Sequence, residues 1–215
     1  ILMKGAIMSS QLNPVLYNNY VGFGPLEHEN FPTYTLYPSA FSAEECKFIC
    51  DISEKFPEQT AGIGTDNHVD EGIRKNKIRW VHYTPMDRDL AWFYKKLAHF
   101  ITRSNDVYKF ELLGLTESIQ YTVYNETNAH YSWHMDFGSG SLSRRKLSLV
   151  LQLTGPEEYE GGELLLMDGG NAKEVEKGQG HTVVFPSFTL HQVTPLRSGT
   201  RKTVVVWATG LNPFK

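Results

Sequence analysis

Lys146-Leu147-Ser148-Leu149-Val150-Leu151-Gln152-Leu153-Thr154 places a leucine at every odd position and a different class of residue at every even one. A backbone that sends successive side chains to opposite faces turns this alternation into a β-strand with a leucine face against a core. The even face, with Lys146, Ser148, Val150 and Gln152, has two readings. It is a solvent-facing side, or it lines an interior in which Gln152 and Ser148 hydrogen-bond a ligand.

Short strands of the same texture follow on both sides, at residues 117–124, 131–136, 162–167, 181–185 and 201–208, each bounded by turn-forming residues. Six such strands within about a hundred residues predict a sandwich or barrel with antiparallel pairing. Upstream the pattern changes. A short strand at 34–37 leads to Ser42 with Glu45 three positions on, a capping-box signature that starts a helix over 43–54. Residues 78–83 read as a strand. Over 87–106, Leu90, Phe93, Tyr94, Leu97, Phe100 and Ile101 recur at helical spacing, so a second helix lays one face on a sheet. Residues 57–77 are rich in Gly, Asp and Asn and read as a long mobile loop of the kind that serves as a lid. The expected fold class is mainly β (α+β), a β core buttressed by N-terminal helices. The expected organisation is one domain over 34–215 with its core at about 112–211, preceded by an extension over 1–33; Met8 is a candidate start, with residues 1–7 upstream of it.

Composition narrows the function. The 215 residues carry 21 basic and 24 acidic side chains with no run of Lys or Arg, which argues against nucleic acid or an anionic membrane as partner. Cys46 and Cys50 lie four apart on the first predicted helix, where side chains seldom meet disulfide geometry. No apolar run approaches the roughly 20 residues that span a bilayer, and the opening residues lack a signal-peptide pattern. A cytoplasmic protein is expected; its oligomeric state is not readable.

The chemistry concentrates in Tyr131-Ser132-Trp133-His134-Met135-Asp136. On a strand, His134 and Asp136 project from one face and can reach one ion, while Met135 points away. His191, after the apolar run Val183-Val184-Phe185-Pro186-Ser187, is the candidate third ligand at a strand end. Two histidines and one carboxylate leave open positions on a metal, the set diagnostic of non-haem Fe(II) oxygenases. A His-x-Asp alone carries little weight among 8 histidines. Arg201 adds to it: with Thr203, Val205 and Trp207 it shares one face of the last strand, and an arginine pointing into an apolar interior calls for an anion such as a carboxylate. Zinc, and a non-catalytic jelly roll that binds a sugar or peptide, are the alternatives.

With Gln120-Tyr121-Thr122-Val123-Tyr124, Gly161-Gly162-Glu163-Leu164 and His191-Gln192-Val193-Thr194-Pro195 running into Gly199-Thr200-Arg201, the chain resembles the prolyl-4-hydroxylase-like family of Fe(II)/2-oxoglutarate-dependent dioxygenases over about residues 112–211. The resemblance implies a double-stranded β-helix (jelly-roll) core and His134, Asp136 and His191 as iron ligands. It implies Arg201 as partner of the distal carboxylate of 2-oxoglutarate, with Tyr124 reaching the same co-substrate; a tyrosine packed in the sheet with its hydroxyl satisfied locally is the alternative for Tyr124. Trp207 matches a family residue near the pocket wall, although core packing explains it as well. Fe(II), 2-oxoglutarate and O2 are implied, with ascorbate as a possible reductant. The implied reaction is hydroxylation of a prolyl residue in a protein or peptide, the alternative being a free amino acid or other small molecule. Nucleic-acid demethylases of the wider group carry a second arginine six residues after the first, and here that place is Trp207. Arg74, Arg79 and Trp80 are candidate substrate contacts.

Overall fold

The computed structural model describes residues 32–64 and 68–214, together with the backbone of strands β1 (Val15–Tyr17) and β2 (Tyr20–Gly22), which pair antiparallel. The chain divides into two units between residues 31 and 32. Apart from β1, β2 and Pro32-Thr33, the extension expected over 1–33, Met8 included, lies outside the described residues.

In the larger unit, β3 (Thr35–Tyr37) enters helix α1 (Ala43–Ser53). The capping box forms as the sequence predicts: the Ser42 hydroxyl accepts from the Glu45 amide at 3.2 Å, and the Glu45 carboxylate accepts from the Ser42 amide at 2.8 Å. These bonds satisfy amides that a helix start leaves without partners. Glu45 also holds Lys96 at 2.6 Å, which ties α1 to helix α2 (Arg88–Tyr108). The α2 start is capped by Asp87, whose carboxylate accepts from the amides of Asp89 and Leu90. Its end turns at Lys109 in the left-handed region, and the Asn105 side chain bonds both the amide and the carbonyl of Phe110.

Residues 57–77 are more ordered in pattern than their composition suggests. They contain β4 (Glu58–Thr60), β5 (Arg74–Lys75) and a bridge between Ile63 and His68. The turn-forming residues are used locally: the Asp70 carboxylate accepts from the Gly72 amide at 2.9 Å, closing an Asx turn that feeds β5. Then come β6 (Lys77–Val81), β7 (Ile119–Tyr124), β8 (His130–His134), β9 (Arg145–Gln152), β10 (Tyr159–Gly161) and β11 (Leu164–Asp168). The chain finishes with β12 (Asn171–Glu174), β13 (Thr182–Pro186), β14 (His191–Val193), β15 (Leu196–Gly199) and β16 (Arg201–Thr209).

These strands build two antiparallel sheets, ordered β3-β13-β9-β16-β7-β6-β4 and β12-β11-β14-β8-β5, with β10 and β15 paired separately. This is the double-stranded β-helix that the resemblance implies; the strand pattern of the sequence shows only six strands after residue 110. β10, β14 and β15 have three or four residues each, and β12 is exposed throughout, so none carries an apolar alternation.

The alternation that predicts β9 sorts the core. Leu147, Leu149, Leu151 and Leu153 pack with Val204, Val206 and Tyr121 against Ile49 of α1 and Leu90, Phe93, Leu97 and Ile101 of α2. Each such buried side chain contributes roughly 1.5–3 kcal/mol relative to exposure. Val150 belongs to the second core, between the sheets, with Tyr124, Leu164, Leu166, Phe185 and Val193. The large sheet is thus covered by helices on one face and lines the interior with the other.

A polar clamp closes the turn ahead of β11. Glu163 accepts from the Thr194 hydroxyl and from Lys177 at 3.0 Å, and its amide donates to Thr194 Oγ1 at 2.9 Å. Burial alone would raise the carboxyl's pKa, but the Thr194 hydroxyl, the local backbone and Lys177 outweigh it and hold the group down at about 2. Because the folded value is depressed, the clamp's stabilisation is present above the ordinary value of 4.5 and is lost as pH falls toward 2. Glu163→Gln is therefore expected to lower stability by about 1–2 kcal/mol at pH 7. The difference from wild type should shrink at pH 3 in urea titrations; a constant difference would show that charge is not the cause.

Candidate active site

His134 ends β8 and His191 begins β14, and the two are direct partners across the antiparallel ladder. Cross-strand partners project to the same side, so register alone brings residues 57 positions apart in sequence to one place. Asp136 lies just beyond the end of β8, in the bend that follows, rather than within the strand as the i, i+2 reading assumed. Its position is set by the loop: the Phe137 amide donates to the Ser187 carbonyl at 2.9 Å, and Arg145 Nη1 donates to the Asp136 carbonyl at 3.3 Å.

Asp136 Oδ1 stands 3.8 Å from His134 Nε2 and Oδ2 stands 3.7 Å from His191 Nε2. Among the described residues these three form the one cluster that could hold a metal ion, their ligand atoms all within 4.8 Å of one another. Both imidazoles are oriented in the same way. His134 Nδ1 donates to the Ser132 carbonyl at 2.7 Å and His191 Nδ1 to the Thr189 carbonyl at 2.9 Å. A carbonyl only accepts, so each Nδ1 carries the proton and each Nε2 lone pair faces the cluster, the tautomer a metal requires. Burial, then the neighbouring His191, pushes the His134 pKa down and keeps that ring neutral. Burial would raise the Asp136 pKa, but the charge of Arg145 and the hydrogen bond from the Ser148 hydroxyl work against it and favour the carboxylate. Two neutral imidazoles and one carboxylate with unobstructed space beside them fit a divalent iron with open positions.

Ser148 belongs to this cluster. The sequence reading made it a possible contact for a co-substrate; the structure gives its hydroxyl to Asp136 Oδ2, at 2.6 Å. Partners of this kind fix a ligating carboxylate, and Ser148→Ala is expected to weaken metal binding by roughly 10–100-fold. Titration of Fe(II) or Mn(II) into the variant checks this, and wild-type affinity would remove Ser148 from the site.

Arg201 faces the same interior from the large sheet, opposite Tyr124 in the β16–β7 register. It is only 3% exposed and its Nε has no partner among the described residues. Its guanidinium lies 5.4 Å from the Tyr124 ring. Gly162, at φ +62°, allows the close approach: a Cβ there would stand 3.1 Å from Arg201 Cδ. Tyr124 is buried on the inner face. Gln152 lines a small cavity together with Arg201, Tyr159 and His181. Its amide donates to the carbonyl and hydroxyl of Thr154 at 3.0 and 3.1 Å.

A cleft of about 990 Å³ joins the metal cluster to Arg201 and Tyr124. Val150, Leu164, Val193 and Val205 line its depth, and Trp80, Trp207, Arg74 and Arg145 line its approach. Trp207 thus belongs to the wall, 6.2 Å from Trp80 with Arg145 stacked on it at 3.7 Å. Arg145, which the sequence reading did not single out, is held by both oxygens of Glu117, at 2.7 and 2.5 Å. Arg79 is not a wall residue: it turns to the helix side, donating to the Phe56 carbonyl and pairing with Glu58.

Residues 119–209 match the 2OG-Fe(II) oxygenase superfamily. The matched span contains the cluster, Tyr124 and Arg201. The chain is similar to a PKHD-type hydroxylase of Gluconobacter oxydans, 28% identical over 80% of this chain and 75% of the relative. It is 39% identical to one of Paraburkholderia phymatum over 40% of each chain, so the match spans less than half of that relative's length. Among solved structures, its fold is similar to a Pseudomonas putida prolyl-4-hydroxylase, with TM-score 0.67 and 20% identity over 84% of this chain and 94% of that one. A Trichoplax adhaerens prolyl hydroxylase in complex with a hypoxia-inducible-factor peptide fragment gives TM-score 0.68 and 15% identity over 82% and 83%. The cofactors the superfamily implies are Fe(II), 2-oxoglutarate and O2. No described helix is long and apolar enough to cross a membrane.

Proposed function

We propose that this chain is an Fe(II)/2-oxoglutarate-dependent hydroxylase acting on a prolyl residue of a protein or peptide. The observation that carries the reading is Arg201: a buried guanidinium without a carboxylate partner among the described residues, in the same cleft as a two-histidine, one-carboxylate cluster. A buried cation is costly unless an anion meets it, and the distal carboxylate of 2-oxoglutarate matches the arginine fork.

In this reading His134, Asp136 and His191 hold the iron, and the bound metal with 2-oxoglutarate and O2 supplies the oxidising chemistry that yields succinate, CO2 and a hydroxylated product. Arg201 fixes the far end of the co-substrate, and Tyr124 presents its hydroxyl beside it. Ser148 orients the Asp136 carboxylate, and Arg145, anchored by Glu117, holds the Asp136 backbone. The aliphatic walls keep water from the reacting end. The cleft admits an extended chain, and Trp80 and Trp207 offer flat apolar surface to a proline ring. The peptide complex of the Trichoplax enzyme, which shares the fold, supports a peptide substrate.

Anaerobic addition of Fe(II) and then 2-oxoglutarate to the purified protein tests this before any substrate is known. A weak visible charge-transfer band that needs both additions is expected; its absence in metal-loaded protein would overturn the reading. Hydroxyproline in a proline-containing peptide after turnover then tests the substrate. Hydroxylation of a free amino acid or small molecule is the second reading, favoured by the extra positive charge that Arg74 brings to the cleft.

A further inference from the structure

Three arginines line the cleft, and two have an evident counter-charge. Arg145 is neutralised by Glu117, and Arg201 faces the place proposed for 2-oxoglutarate. The third is Arg74. It is 7% exposed and bonds only neutral acceptors, the Asn76 side-chain oxygen at 3.2 Å and the Gly62 carbonyl at 2.9 Å. Among the described residues no carboxylate pairs with it. Two further contacts fix it beside the metal cluster. Its strand β5 pairs with β8, Arg74 opposite Tyr131, and its guanidinium lies over the Tyr131 ring at 4.4 Å. The Tyr131 ring in turn stacks on His134 at 3.4 Å between centroids.

The charges of the loaded site point the same way. A divalent iron against Asp136, together with Arg201, balances the two carboxylates of 2-oxoglutarate. Among the described residues Arg74 is then left as an uncompensated cation in a partly dehydrated cleft, where an unpaired charge is unfavourable and an arriving anion is bound strongly. We infer that the substrate carries a carboxylate and that Arg74, on the ring that stacks against His134, is the residue that receives it. This rests on the proposed hydroxylase reading and narrows it: a prolyl substrate presents either its own free carboxylate or an acidic side chain near the proline.

Binding measured by quenching of tryptophan fluorescence, to which Trp80 and Trp207 in the cleft wall contribute, tests the inference on anaerobic protein loaded with Fe(II) and 2-oxoglutarate. The probes are N-acetylproline against N-acetylprolinamide, and a capped Pro-Ala-Glu peptide against its Pro-Ala-Gln counterpart. One acid is expected to bind roughly tenfold or more tightly than its matched amide, as a charged hydrogen bond in a dehydrated site predicts. Preference within the first pair assigns the carboxylate to a free proline, and within the second to a peptide side chain. Arg74→Gln should abolish the preference, and Arg74→Lys should keep part of it, which separates lost charge from a disturbed fold. Equal affinity of acid and amide in both pairs, no binding of either acid, or a preference that survives in Arg74→Gln would overturn the inference. The charge-transfer band of the same samples reports on the hydroxylase reading independently: its presence with no acid preference rejects the role of Arg74 alone.

Discussion

Asp136→Ala is expected to reduce 2-oxoglutarate turnover by roughly a thousandfold or more, a loss of at least about 4 kcal/mol in transition-state stabilisation. Asp136 is the single carboxylate of the cluster, 3.8 and 3.7 Å from the two histidine nitrogens. Without it two neutral imidazoles remain, one of them already disfavoured from carrying charge by burial. Asp136→Asn distinguishes charge from shape, since an asparagine can still accept from Ser148 in place of the 2.6 Å bond. Both variants should fall together in succinate production and in Fe(II) retention, with circular dichroism unchanged. Full turnover in either one would sink the iron assignment.

Arg201→Ala should raise the 2-oxoglutarate concentration needed for half-saturation by roughly 10²–10³-fold, a cost of about 3–4 kcal/mol for breaking a buried ion pair. The anaerobic charge-transfer band should still form at high co-substrate, because the cluster is intact. Arg201→Lys keeps the charge but not the two-pronged fork, and an intermediate requirement is expected. Thermal unfolding gives a second reading of the same event. Adding 2-oxoglutarate to the Fe(II)-loaded wild type should raise its midpoint, since a ligand that binds only the folded state stabilises it. The rise should vanish in Arg201→Ala at equal concentration. An unchanged half-saturation would move the co-substrate away from Arg201.

Much of this site was legible in the linear chain, because the relevant period is short. Residues 201, 203, 205 and 207 share a face by alternation alone, and all four line the cleft. The β9 leucines sort to the helix side for the same reason. Ser42 with Glu45 and the apolar spacing of α2 located both helices within two residues. Local pattern does not reach as far as the partner of each side chain. Gln152 shares the inner face with Ser148, yet Thr154 takes its amide and Asp136 takes the serine hydroxyl. Alternation determines which face a side chain has, not which neighbour stands opposite. Arg79 and Trp80 are adjacent in sequence and end on opposite sides of β6, one paired with Glu58 and the other in the cleft wall.

The sequence by itself determined the β-rich core, its two buttressing helices and the face on which each functional side chain lies, since these follow from periods of 2 and 3.6 residues and from capping chemistry. It also pointed to a two-histidine, one-carboxylate set and to an arginine needing an anion. Only the tertiary structure decided that His134 and His191 are cross-strand partners and that Asp136 is held from beyond the strand end. It alone placed Arg74, from a segment that reads as loop, on the ring stacked against His134. Those placements come from the register between strands distant in sequence, and register is set by the packing of the whole sheet rather than by any segment within it.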